Sequence, residues 1–156
     1  MSYDIRLEDR VARPAAVMGG DVSVDDIAGF VGTALREVAT AARRAGIDLA
    51  GPPFARYRPL PGGAWNVEAG FPLARAIAPA GRVEPTSLPA GPVVATVHVG
   101  SYDTVEPAYI ALTSWVTEHG YGTVGEAWEC YLDDPNVPEP RTEIVMPVTR
   151  PDVRLN

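Results

Sequence analysis

Glu129 lies inside an otherwise apolar run, Ala127-Trp128-Glu129-Cys130-Tyr131-Leu132. A carboxylate there is costly to bury unless it is paired or faces a cavity. It can serve as the counter-charge for a cationic ligand, or as a general base whose pKa burial has raised. The alternative is a carboxylate facing solvent on an edge strand. Two tyrosines, Tyr57 and Tyr131, can orient that carboxylate, donate a proton, or stack on a ligand ring; equally, they can be core residues with a polar tip. Strand alternation places Glu129, Tyr131 and Ala127 on one face. Trp128 then points the other way and is expected to pack under a helix.

Further candidates are aromatic or acidic. Phe54, Phe71, Trp65 and Trp128 can wall a ligand site or fill a core, and Trp65, after a Gly-Gly turn, is expected to be the most exposed. Glu68 and Glu143 each lie in a strand near a proline. Gly70, beside Glu68, permits close approach of a ligand or of backbone. Of the two histidines, His98 precedes the Gly100 turn and is expected to shape it, while His119 ends a helix. No acid–His–nucleophile order suggests a triad, and Ser101 is not in a Gly-x-Ser-x-Gly elbow. No metal-ligand spacing or phosphate-binding glycine loop appears, so no metal and no cofactor is expected.

Two amphipathic helices are expected to position these groups. One spans about 24–45, with Ser23 as cap, Arg43 and Arg44 in its last turn, and Gly46 after it. The other spans about 104–119, capped by Asp103 with Glu106 three residues on, and ended by Gly120. Short apolar runs read as strands near 3–8, 13–18, 54–60, 65–73, 92–99, 127–133 and 142–148. The stretch from about 75 to 91 reads as a loop joining two halves.

Those halves repeat. Gly46, Gly51 and Tyr57 have the spacing of Gly120, Gly125 and Tyr131, with an offset of 74 residues (120 − 46). Phe54 then matches Trp128, and Leu35, Val38 and Ala42 match Tyr109, Leu112 and Val116. After one inserted residue, Glu68 matches Glu143 in a shared Glu-x-x-x-Pro. The expected architecture is α+β: duplicated βαββ units forming one curved antiparallel sheet, with two helices on one face and a ligand cleft between the halves. The concave side is expected on the face opposite the helices. Residues 1–156 read as a single domain, with repeat one at about 1–75 and repeat two at about 90–150. In place of Glu129 the first half has Ala55, which makes the cleft chemically lopsided.

Composition narrows the partners. The net charge of −7 disfavours nucleic acid and mildly favours cations. One cysteine, Cys130, excludes an intrachain disulfide and points to a reducing, cytoplasmic compartment. The N-terminus lacks a signal-peptide pattern, and no run approaches the length of a membrane span.

Taken in order, His98-Val99-Gly100-Ser101-Tyr102-Asp103, Trp115, Gly120, Gly125, Trp128-Glu129-Cys130-Tyr131-Leu132-Asp133-Asp134-Pro135 and Thr142-Glu143-Ile144-Val145-Met146-Pro147-Val148 resemble the GyrI-like small-molecule-binding domain. Gly51-Pro52-Pro53-Phe54-Ala55-Arg56-Tyr57 and Val67 to Leu73 resemble its first-repeat motifs. The resemblance spans about residues 4–149. It implies a pocket for bulky aromatic, often cationic compounds, as in the effector-binding domains of multidrug-responsive regulators, with an acid at the pocket floor where Glu129 stands. The expected ligand residues are Glu129, Tyr57, Tyr131, Trp65, Phe54, Phe71, Trp128 and Glu68. The chain lacks a helix-turn-helix and resembles the stand-alone members. Some of these sequester drugs or toxins; others are hydrolases opening the cyclopropane of DNA-alkylating natural products, for which Glu129 and Tyr57 would be catalytic. A third reading is a protein-interaction inhibitor of a DNA-processing enzyme, although no protein partner is indicated.

Overall fold

The computed structural model describes residues 3–101, 104–134 and 136–151. The strands are β1 (Arg6–Arg10), β2 (Arg13–Ser23), β3 (Phe54–Pro59), β4 (Ala64–Pro72), β5 (Glu84–Leu88), β6 (Gly91–Val99), β7 (Gly122–Thr123), β8 (Ala127–Tyr131) and β9 (Arg141–Thr149). The helices are α1 (Ile27–Arg44) and α2 (Glu106–Glu118). Eight strands form one antiparallel sheet in the order β1-β6-β9-β8-β3-β4-β2-β5, and β7 pairs with the far end of β9.

The helices end as their glycines dictate. Gly46 and Gly120 adopt positive φ, of 70° and 75°. After each, the next amide bonds back to a carbonyl five residues earlier, Ile47 to Ala42 at 2.9 Å and Tyr121 to Val116 at 3.0 Å. This is the Schellman closure. The starts differ from expectation. Residues 24–26 form a short 3-10 turn before α1, and Ser23 donates to the Asp26 carboxylate at 2.9 Å instead of capping a backbone amide. The expected Asp103 cap lies outside the described residues.

Each helix buries three residues, Ala34, Val38 and Ala42 in α1 and Ala108, Leu112 and Val116 in α2. The two sets are related by the offset of 74 seen in the sequence (108 − 34, 112 − 38, 116 − 42). The first packs on Ala16, Met18, Ala55, Ala69 and Leu73, the second on Val94, Ile144, Met146 and Val148.

The central ladder carries the same relation. Between β3 and β8, Phe54 pairs with Cys130 and Arg56 with Trp128, while Ala55 pairs with Glu129. Since 55 + 74 = 129, Ala55 and Glu129 sit on the local two-fold axis that exchanges the halves.

Two strands fall outside the duplicated unit. The stretch expected to be a loop contains β5, which pairs with β2 at the sheet edge. Pro85 suits that edge, where a missing amide donor costs nothing to a neighbour. β1 pairs not with β2 but with β6, at the opposite edge. Only residues 11–12 join β1 to β2 and only 89–90 join β5 to β6, so the two edges approach each other and the sheet curls into a half-barrel. Arg56 on β3 spans the inside of this curl to reach Ser87 on β5.

Candidate functional site

The helices stand on the outer face of the curl, and a cavity of about 1420 Å³ opens between them over the β3–β8 ladder. It therefore lies on the helix-bearing face. The opposite, inner face was expected to be the concave binding side, but its own side chains fill it: Phe54, Val17 and Leu88 in one cluster, and Trp128, Val93 and Val145 in another.

Glu129 projects into the cavity from the ladder's axis. Tyr131 donates to its Oε1 at 3.2 Å, and Tyr109 from α2 donates to its Oε2. The Tyr57 and Tyr131 hydroxyls meet at 2.7 Å. With the single Tyr131 proton directed to Glu129, Tyr57 is the donor in that contact. Three phenols thus chain onto one carboxylate, and the oxygen of Tyr57 is left with acceptor capacity toward the cavity.

Burial pushes the Glu129 carboxyl above its ordinary pKa; the Tyr109 and Tyr131 hydrogen bonds and the charge of His98 pull it back only in part. Burial, then the Glu129 charge, raises Tyr57, Tyr109 and Tyr131 as well. All three phenols stay protonated across the physiological range and act as donors.

Trp65 lines the cavity beside Tyr57, edge to face at 6.5 Å between ring centroids and 88° between planes. Glu129, Tyr57, Tyr131 and Trp65 are thus brought together. The other four expected residues are not. Phe54 and Trp128 are buried on the inner face, because strand alternation sends them away from Glu129 and the helices stand on Glu129's side. Trp128 consequently packs under no helix. Phe71 shares the outer face but lies in the cluster under the C-terminal half of α1. Glu68 points to the inner face, 3.7 Å from Arg56 and 3.4 Å from Arg58.

Tyr109 was read in the sequence only as part of the α2 stripe. Its signal was its pairing with Leu35: one position of the duplicated helix face carries a hydroxyl in just one half. His98 does hold the turn before α2, with Tyr3 on Nδ1 at 3.1 Å and Thr104 on Nε2 at 3.0 Å. Among the described residues there is no cluster of three or more metal-ligating side chains, and no helix is long and apolar enough to cross a membrane.

The model of the GyrI-like small-molecule-binding domain matches residues 4–149. This chain belongs to that family. Among solved structures, the GyrI-like chain is similar to the C-terminal domain of EcmrR, with TM-score 0.81, 21% identity, and coverage of 96% of this chain and 99% of that one. It also resembles a hydrolase encoded by lin2189 from Listeria innocua (TM-score 0.70, 13% identity, 93% and 91% covered). A third similar structure is SAV2435 bound to tetraphenylphosphonium (TM-score 0.61, 17% identity, 96% and 94% covered). No curated protein sequence matches the chain. The shared fold is a curled antiparallel sheet with two helices, and the family is one of small-molecule binders.

Proposed function

We propose that this GyrI-like domain binds amphipathic aromatic cations, drugs or toxins, in the groove between its helices, with Glu129 as counter-charge. The carrying observation is electrostatic. Of the described lining residues five are acids and none is Lys, Arg or His. Glu129, at the centre, accepts hydrogen bonds from two tyrosine hydroxyls and forms no ion pair among the described residues. A cationic guest supplies the missing charge, and the Trp65 and Tyr57 rings supply faces on which it stacks. The tetraphenylphosphonium held by SAV2435 is a ligand of this chemistry. The acidic surface fits a protein that handles such compounds without touching nucleic acid, and the lone cysteine fits a cytoplasmic setting.

The test is an equilibrium titration with a cationic dye and a neutral analogue of the same shape. Glu129→Gln weakens the cation by about 1–3 kcal/mol, the cost of losing a charge-assisted partner, and spares the neutral analogue. Equal losses for both would remove the counter-charge role.

A second reading has its own support. A carboxylate with a raised pKa beside protonated phenols can activate water while Tyr57, turning its hydroxyl proton from Tyr131 to the cavity, assists a leaving oxygen. Incubation with a cyclopropane-bearing alkylator and analysis for its hydrated product tests it. Tight binding without product would eliminate hydrolysis for that compound.

A further inference from the structure

The groove is longer than a compact cation needs. From Pro53, just before β3, to Pro59 at its end, both in the lining, the chain advances six residues, roughly 20 Å at strand rise. Its volume of about 1420 Å³ exceeds the ~300–1,000 Å³ usual for a drug-sized ligand. Glu129, on the two-fold axis, marks the middle.

The two ends differ although the backbone is nearly symmetric. At one end β4 and β2 bring Trp65 against Pro59 and Val22, next to the start of α1. Trp65 and Tyr57 form an aromatic corner there, with Val24 and Ile27 above it. Glu126, the one acid among the described lining residues at this end, is already bonded to Arg58 at 2.8 Å. At the other end the chain leaves β8 through Leu132, Asp133 and Asp134 and meets the start of α2. Leu132 and Gly100 bond to neighbouring residues of the same segment, Arg141 and Pro140. Among the described residues no aromatic ring lines this end beyond Tyr109 and Tyr131 at the centre. Asp133 is paired with Arg141 at 2.9 Å. Glu106 and Asp134 line the cavity and form no ion pair among the described residues.

We infer that the guest is an elongated amphiphile with a second cationic or hydrogen-bond-donating group, bound in one orientation. Its aromatic end occupies the Trp65–Tyr57 corner, its middle lies over Glu129, and its donor end reaches Glu106 and Asp134. This rests on the cation-binding reading above. Rim carboxylates alone would draw any cation. These two terminate one continuous cavity whose opposite end is aromatic, so that an aromatic head and a donor tail can be satisfied together in only one direction. A compact cation fills the centre and leaves both ends unused.

Three probes test this by fluorescence or calorimetric titration of the whole chain: tetraphenylphosphonium, an acridinium carrying a butyl chain, and the same acridinium carrying an aminobutyl chain. The aminobutyl probe is expected to bind more tightly than the butyl probe. Glu106→Gln with Asp134→Asn is expected to weaken the aminobutyl probe about fivefold more than the butyl probe, the scale of an exposed ion pair. Trp65→Leu is expected to weaken both acridiniums by the same factor. The general negative charge of the protein would favour a dication without regard to Glu106, so equal responses of the two acridiniums to the double variant overturn the orientation. If Glu129→Gln still weakens all three cations in that case, the cation-binding reading survives alone. If no probe binds, or Glu129→Gln changes nothing, both readings fall.

Discussion

At the scale of the residue, Glu129 sets an opposition between stability and binding. Its carboxyl titrates above the ordinary value because it is buried, so the folded protein holds that proton more tightly than the unfolded chain does. The stabilising contribution is full below the unfolded pKa and disappears as pH rises through the folded one. Thermal melts from about pH 4 to about pH 8, a window spanning the ordinary carboxyl value, should therefore show the unliganded protein losing stability relative to Glu129→Gln as pH rises. Cation affinity should run the other way, rising over the same interval. Tyr109→Phe removes a hydrogen bond that lowers the Glu129 pKa, and the midpoint of cation binding should move to higher pH. Glu129 itself was legible in the sequence, since a lone carboxylate in an apolar strand has few explanations. Tyr109 was not, because a tyrosine in a helix stripe looks the same whether its hydroxyl meets solvent or an acid 20 residues away. Phe54 and Trp128 misled for the converse reason: aromatic identity says nothing about which face of a curled sheet the helices cover.

At the scale of the element, Gly70 shows how closely the strands are set. A Cβ there would lie 1.7 Å from the Ala16 carbonyl oxygen on β2. The close approach permitted by this glycine is that of backbone, not ligand. Gly70→Ala should cost about 3 kcal/mol or more, because the clash is with main chain and cannot be relieved by a rotamer; denaturant unfolding measures it. Glu68 lies on the same strand two residues away and answers to the same face. Glu68→Gln should lower stability by about 1 kcal/mol through its half-exposed pairing with Arg56 and Arg58, while leaving cation affinity as in the parent. The helices and their glycine stops were readable from apolar spacing. β5 was not. Glu84-Pro85-Thr86-Ser87-Leu88 lacks an alternating pattern and contains proline, and it becomes a strand only because β2 offers an open edge.

At the scale of the molecule, the offset of 74 residues extends from sequence to ladder register, and this is why the sheet and helix pair could be expected before any coordinate. The exchange of β1 and β5 to opposite edges could not be, because nothing in either strand names its partner. Removal of a large buried ring from the inner face should damage the fold without touching the groove: Trp128→Ala should cost about 3–5 kcal/mol, read from a melt, with cation affinity retained by the fraction still folded. That exchange also bears on how the protein reaches its native state. β1, which precedes the first unit, is paired by β6 of the second, and β5, which precedes the second unit, is paired by β2 of the first. The hydroxyls of Tyr57 and Tyr131 can meet only when both halves have docked. Neither half made alone would reproduce the environment of Glu129, and during refolding the competence to bind a cation should emerge with the last cooperative step, not before it.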